Sequence, residues 1–287
     1  MFPTLVKIPI FGLDVTIYAY GTVIVLSFLL ASWWTKRRAA KSLGAPEDRV
    51  FNVAFAVLFV GLGGARFVYA LANYPEFTRR PLSLFYIWEG GLVGYGGMAA
   101  GLLFLAWFLP RRAVKGEYLE GKAWSLFDLL ARGACLAFAL GWFASLLAGD
   151  DYGRATTSPL GIPATWFSDG TPAKSYVADP RHGFDLLTTR LHPTQLYESA
   201  LALVLFGILA LAAKRKLAPG RVAALFLMLH ALGHALIETL RGDADKRGMV
   251  VGDFLSWSQF LAIPVFFVGV ALWLIRKPDR VPHAGRR

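Results

Sequence analysis

Unbroken apolar runs separated by short polar and basic segments dominate the 287-residue chain. Seven of them fall at about residues 17–34, 50–71, 90–109, 126–148, 195–213, 222–240 and 255–275. Each approaches the roughly 20 residues that an α-helix needs to cross the hydrocarbon core of a bilayer. The pattern predicts an all-α polytopic membrane protein with seven transmembrane helices. It also predicts one membrane-embedded domain over residues 1–287.

The basic residues between the runs give an orientation. Lys36, Arg37, Arg38, Lys41 and Arg49 follow the first run, and Arg111, Arg112, Lys115 and Lys122 the third. Lys214, Arg215, Lys216 and Arg221 follow the fifth, and Arg276, Lys277, Arg280, Arg286 and Arg287 the seventh. These total eighteen, against ten in the alternate segments. Positive charge stays on the cytoplasmic side, so the N-terminus is expected outside and the C-terminus inside. An odd number of crossings agrees. Two outer segments are too polar to span. Residues 72–88, with Pro75, Pro81 and several aromatics, read as an interfacial arm. Residues 149–191 form a long outer loop rich in Gly, Pro and Asp, and a loop of such length is usually functional or mobile.

Composition supports this picture. Hydrophobic residues make up 56% of the chain and charged residues 17%. The net charge of +11 would point to nucleic acid in a soluble protein, but here it sits at the ends of apolar runs. That placement fits membrane topology and anionic headgroups, so no nucleic-acid partner is expected. The single cysteine, Cys135, lies inside an apolar run and reads as packing. Residues 1–14 lack the basic and apolar regions of a secretory signal.

Ionisable groups at membrane depth are costly and are functional candidates by default. Arg66 follows Gly63, Gly64 and Ala65 late in the second run. It reads either as a snorkelling or ion-paired arginine or as a phosphate ligand, since its donor fork matches two phosphate oxygens. Arg132, near Asp128 and the cytoplasmic end of its run, reads as a structural pair or a snorkelling arginine. The glycine-rich run from Trp88 to Gly97 opens the third span. Close helix packing is one reading of it, and a headgroup site beside Tyr95, Gly96 and Gly97 is the other. Asp150 and Asp151 could suggest a metal, but spacing supplies no full ligand set, so neither metal nor organic cofactor is expected. His192, Gln195, Tyr197 and Glu198 crowd the start of the fifth span. His234, Glu238 and Arg241 stand at i, i+4 and i+7, on one face at the outer end of the sixth. A basic, glycine-lined polar cluster in the outer half of a helix bundle would suit an anionic lipid headgroup.

The run His192-Pro193-Thr194-Gln195-Leu196-Tyr197-Glu198 resembles the HP(S/T)QLYE signature of prolipoprotein diacylglyceryl transferases. Other features follow in the same order. Tyr18 to Gly21, including Tyr20, resembles the family's WYG, and Gly64-Ala65-Arg66 its GAR. Trp88 to Gly97 resembles its W-x-G-G-x-x-x-H-G-G, and Gly141 to Arg154 occupies its GR-x-GNF-x-N-x-E region. Glu238 and Arg241 fit R-x-x-x-E-x-x-R, and Ser258, Gln259 and Pro264 resemble GQ-x-x-S-x-P. The chain departs from the pattern where Tyr95 stands for a histidine, and where Trp142 and His234 stand for arginines. Ser145 and Ala148 replace asparagines, and Asp150 replaces a glutamate.

The resemblance implies an enzyme of the bacterial inner membrane that moves the diacylglyceryl group of phosphatidylglycerol to the lipobox cysteine of prolipoprotein signal peptides. Membrane lipids and these peptides are the expected partners. The expected catalytic residues are Tyr95, His234, Glu238 and Arg241. Tyr20, Arg66, Gly96, Gly97, Arg154, His192, Gln195, Tyr197 and Glu198 are expected to bind lipid or substrate. A thiol of pKa about 8.5 needs a base or a positive field, and an imidazole suits that role better than a phenol. The departures favour a second reading, a relative that binds phosphatidylglycerol or lipoprotein without transfer. A transporter is the third, but no broken-helix pair or internal symmetry supports it.

Overall fold

The computed structural model describes residues 4–10, 13–86, 92–114, 122–215, 217–243, 249–251 and 255–276. Eight long or short helices follow a hairpin of β1 (Thr4–Ile10) and β2 (Leu13–Tyr18) up to the last connection. They are α1 (Ala19–Leu43), α2 (Glu47–Ala72), α3 (Tyr74–Arg79), α4 (Gly94–Val114), α5 (Ala123–Ala148), α6 (Pro172–Ala178), α7 (Thr194–Lys214) and α8 (Arg221–Glu238). A last helix, α9 (Trp257–Ile275), closes the bundle.

Local chemistry sets the ends of these helices. Gly44 and Gly149 take left-handed conformations, φ 65° and 69°, and turn the chain out of α1 and α5. At the start of α9, Ser256 and Gln259 form a capping box. The start of α8 is capped from a distance. The Asp128 carboxylate on α5 accepts from the Gly220 N–H at 2.9 Å and the Ala223 N–H at 2.8 Å. Asp128 and Arg132 attract each other's charge, but no direct side-chain contact joins them among the described residues. Arg132 instead donates through Nε to the Asp128 carbonyl and lies over Trp34.

Within the bundle α1 packs on α5, α2 on α4, α5 on α7, and α8 on α9. One apolar core joins Cys135, Leu205, Leu209, Phe226, Leu227 and Val265, so Cys135 is a packing residue as read from sequence. Another joins Val50, Val53, Leu105, Leu109, Leu126 and Leu129. Large apolar side chains such as Phe59, Leu103, Leu203, Leu236 and Phe267 face outward. A soluble monomer seldom exposes so much apolar surface, whereas a lipid-facing belt requires it. Helices α2, α5, α7, α8 and α9 are long and apolar enough to cross a membrane. In α4 the apolar part is Gly94–Leu109, and α1 carries Lys36, Arg37 and Arg38 in its second half.

Three regions differ from the all-α expectation. Residues before α1 pair as a β-hairpin. The outer loop at 149–191 is folded. Its strands β3 (Ala155–Thr156), β4 (Ile162–Pro163) and β5 (Arg190–Leu191) pair in the order β3-β5-β4. Tyr152, Ile162, Phe167, Val177 and Leu191 form the core of this lobe together with Leu146 of α5. A third pairing, β6 (Met249–Val251) with β7 (Leu255–Ser256), leads into α9. The arm is a helical segment, α3 followed by a 3₁₀ turn at Pro81–Phe85. Residues 87–91 of the glycine-rich run and several of the counted basic residues (Lys115, Lys216, Lys246, Arg247 and the residues after Arg276) lie outside the described residues.

Candidate functional site

Five elements bring ionisable side chains to one place at the lobe end of the bundle. Helix α8 presents His230, His234 and Glu238 one turn apart, as their i, i+4, i+8 spacing requires. Helix α7 supplies Glu198 from its second turn. The capping residue of α9, Ser256, reaches across to donate its hydroxyl to Glu238 Oε1 at 2.9 Å. Helix α4 contributes Tyr95 and α5 contributes Trp142.

His234 lies at the centre and is 5% exposed. Its Nδ1 is 2.6 Å from Glu198 Oε1, and its Nε2 is 3.7 Å from Glu238 Oε2. The first contact is short but angled and is not a linear hydrogen bond. The ring of Tyr95 meets His234 edge-on at 5.1 Å, and the Trp142 ring lies at 6.0 Å. Of the three positions at which the chain departs most from the family motifs, His234 is this imidazole and Tyr95 and Trp142 flank it. His230 stacks on His234 with ring centroids 5.9 Å apart. Tyr95 Oη and His230 Nδ1 are buried without a hydrogen-bond partner among the described residues.

Arg241 ties this cluster to the lobe. Its guanidinium pairs with Asp151 and Asp243 and approaches Glu238 at 3.7 Å. Burial alone would weaken its charge, but Asp151, Asp243 and Glu238 outweigh that and raise its pKa well above the usual arginine value. The Gly153 and Arg241 backbones form a bridge, and Gly242 N–H donates to the Tyr152 carbonyl at 2.9 Å. Four carboxylates, Glu198, Glu238, Asp151 and Asp243, thus face one buried guanidinium and one imidazole. Ligand oxygens of Asp150, Asp151 and Asp243 lie within 4.8 Å of one another. Arg241 already provides a positive partner for two of them.

The structure joins Tyr95, Glu198, His234, Glu238 and Arg241 and places the other sequence-derived residues around them or elsewhere. Gln195 donates to the Asp150 carbonyl, and the neighbouring Thr194 hydroxyl donates to the Asp151 carbonyl at 2.6 Å. His192 Nδ1 is 3.3 Å from Tyr197 Oη. Arg154 is exposed at the rim, with Nε donating to the Arg241 carbonyl at 3.2 Å. Tyr20 is 45% exposed and feels the charges of Asp151 and Asp150. Arg66 is buried against the arm, where Nη2 donates to the Ser83 carbonyl and Nε to that of Leu84. It also lies over the rings of Tyr69 and Phe77. Gly96 and Gly97 pack on α2. A Cβ on Gly97 would come within 2.8 Å of the Gly61 carbonyl oxygen.

Sequence reasoning set Asp151 aside after weighing it as a metal ligand, and missed Asp243, Ser256 and His230. The first three act through contacts across the fold that no spacing announces. His230 was legible, since it precedes His234 by one helical turn.

This arrangement offers a buried imidazole braced by two carboxylates, next to an exposed arginine at an aqueous rim. That is suited to moving a proton from a weak acid while an anion is held nearby. Comparison with known proteins agrees with the motif resemblance. The profile of the prolipoprotein diacylglyceryl transferase family matches residues 7–275. A phosphatidylglycerol–prolipoprotein diacylglyceryl transferase of Photorhabdus laumondii is 29% identical over 268 residues, covering 91% of this chain and 88% of its own. The enzyme of that name from Nitratidesulfovibrio vulgaris is 30% identical over 260 residues, covering 89% and 87%. That from Legionella pneumophila is 29% identical over 267 residues, covering 91% and 93%. The chain is a membrane protein of the prolipoprotein diacylglyceryl transferase family, a family of transferases in lipoprotein biosynthesis.

Proposed function

We propose that the protein transfers the diacylglyceryl group of phosphatidylglycerol to the lipobox cysteine of prolipoproteins. The reaction takes place in the outer half of the bacterial cytoplasmic membrane, in a bundle of seven crossing helices with the N-terminus outside. The charge asymmetry of the connecting segments supports that orientation. The observation that carries the reading is His234 between Glu198 and Glu238, in a chain matched by the family profile over residues 7–275.

In this reading the cysteine sulfur forms a C–S bond to the glyceryl carbon. The carbon–oxygen bond to phosphate breaks, and glycerol phosphate leaves. His234 accepts the thiol proton through Nε2 while Glu198 holds Nδ1, so the imidazolium forms between two carboxylates. The proton passes finally to the departing phosphate. Arg154, at the rim, neutralises that phosphate. Arg241 is engaged by Asp151, Asp243 and Glu238, and so it organises the site rather than gripping the leaving group. Tyr95 positions the reacting groups from the edge of the His234 ring. Arg66 anchors the arm through the Ser83 and Leu84 carbonyls.

A direct assay tests this. Purified protein in liposomes receives phosphatidylglycerol and a lipobox peptide, and the peptide is weighed by mass spectrometry. The expected result is a diacylglyceryl mass shift that disappears when the peptide cysteine is serine. No shift beside an active family member overturns the transfer, and retained phosphatidylglycerol binding in that case would mark a binding-only relative.

A further inference from the structure

The outer lobe carries a groove that the reaction above does not use. It is a shallow, open groove of about 480 Å³ lined by Ala155, Thr156, Thr157, Thr188, Thr189 and Arg190. Its origin is the pairing of β3 with β5, which sets Ala155 opposite Leu191 and Thr156 opposite Arg190. Side chains alternate across a sheet. Leu191 is buried in the lobe core, so Thr156 and Arg190 fall on the other, open face.

The lining chemistry restricts the ligand. Four threonines line the groove: the Thr156 hydroxyl accepts from the Ser158 N–H at 3.1 Å and the Thr188 hydroxyl donates to Asp185 Oδ2 at 3.2 Å, and since a hydroxyl can both donate and accept, each keeps capacity for a ligand. No carboxylate lines the groove, and Ala155 is its one apolar residue. Arg190 directs Nη1 to the carbonyls of Pro159 at 3.4 Å and Gly161 at 3.2 Å, which fixes it in the floor. Such a surface suits a ligand with alternating donors and acceptors, and the extended main chain of a peptide has that pattern.

Position selects the same occupant. Ala155 follows Arg154, whose N–H donates to the Leu240 carbonyl at 2.8 Å and whose Nε donates to that of Arg241. The groove therefore begins one residue, about 3.8 Å of chain, from the rim of the His234 cluster. A peptide with its thiol at His234 and its signal segment in the membrane must send its remaining residues out past this lobe.

We propose that the groove holds, in extended conformation, the residues immediately C-terminal to the reacting cysteine of the peptide substrate. The inference rests on the transferase reading. Hydroxyls that bond the main chain do not read side chains, so the groove accepts many sequences and requires only free peptide N–H and C=O groups.

The test uses the full protein in phosphatidylglycerol liposomes and three peptides identical up to the cysteine. One ends there as an amide, one continues for six residues, and one continues with N-methylated peptide bonds. The continued peptide should show a KM about five- to tenfold below the other two, the effect of one or two net hydrogen bonds. Replacing its extra side chains by alanine should not change that. In Thr157→Ala/Thr189→Ala the KM ratio should fall toward one. As a second measurement, a benzophenone placed two residues after the cysteine should cross-link wild-type protein at residues 155–157 or 188–190. Equal KM values for short and continued peptides, a ratio unchanged in the double variant, or cross-links confined elsewhere would overturn the groove assignment while leaving transfer intact. Transfer to none of the peptides would instead overturn the transferase reading, and the groove assignment with it.

Discussion

The imidazole of His234 is held on both nitrogens by carboxylates that are 2% and 0% exposed, Glu198 and Glu238. Neither acid can turn to water, so their charges bear directly on the ring. Removing a positioned base typically lowers a rate by about 10²- to 10⁴-fold. His234→Ala should lower transfer by that range in the liposome assay, and full retained activity would remove His234 as the base. Glu198→Ala should lower kcat about 100-fold with a smaller change in KM, because it acts on the ring and not on the lipid. The residue types and spacing made half of this arrangement legible. His234 and Glu238 share a helix face by periodicity, and Glu198 lies in the most specific motif, whereas Arg241, expected on that face, lies beyond the end of α8 and reaches the cluster from its bridge with Gly153. The partners Asp151 and Asp243 were not legible, because loop folding brings them to Arg241 and no local pattern encodes that.

Among the elements, helices were the easiest to read and their fastenings the hardest. A run of some twenty apolar residues leaves the backbone no other way to satisfy its hydrogen bonds in lipid, so α2, α5, α7, α8 and α9 follow from hydropathy. The strands of the folded lobe are two residues long, too short for any period to show, whereas β2 does alternate apolar and polar residues over Leu13–Ile17, a signal passed over because its end was counted into the first apolar run. Arg66, read from sequence as a snorkelling or ion-paired arginine or as a phosphate ligand, has hydrogen bonds to two main-chain carbonyls of the arm, contacts that no spacing announces. Glycines at the α2–α4 seam let backbones approach. A Cβ on Gly64 would sit 2.3 Å from that of Ala100 and 2.8 Å from the Gly96 oxygen. Gly64→Val should therefore cost about 1–3 kcal/mol through overpacking and appear as a lower Tm in detergent. Gly63, whose added Cβ would meet nothing within 4 Å, is the control and should tolerate alanine. At the other end of the bundle, Asp128→Ala would leave the buried N–H groups of Gly220 and Ala223 without their acceptor. A loss of about 1–3 kcal/mol is expected, with Asp128→Asn milder because its amide oxygen still accepts. A Tm equal to wild type in Asp128→Ala would show that the cap is dispensable.

At the scale of the whole molecule, the membrane bundle and the outer lobe meet around one side chain. Arg241 holds Asp151 from the start of the lobe, Asp243 from the loop after α8, and Glu238 from α8 itself. The lobe is also pinned through main chain at Gly153, Tyr152 and Arg154, and through Thr194 at the start of α7. Main-chain bonds alone would keep the lobe near the bundle, but they would not neutralise the carboxylates collected there. Arg241→Leu removes the guanidinium and leaves these acids facing one another at low exposure. Breaking a buried ion pair by deleting one partner costs about 3–5 kcal/mol. That cost can be relieved locally if the lobe swings away and hydrates Asp151 and Asp243. The expected outcome is a lobe that opens while the helices remain folded. Limited proteolysis should cut within residues 149–191 much faster than in wild type, with the helical circular dichroism retained. Transfer should fall with it, because the Arg154 rim and the Thr-lined groove leave the His234 cluster together. Arg241→Lys keeps a charge but not the fork that reaches two carboxylates at once, so it should lie between the two. Unchanged proteolysis in Arg241→Leu would mean that the main-chain bonds suffice to hold the lobe. The loss of transfer would then have to arise within the cluster, through Glu238 and His234.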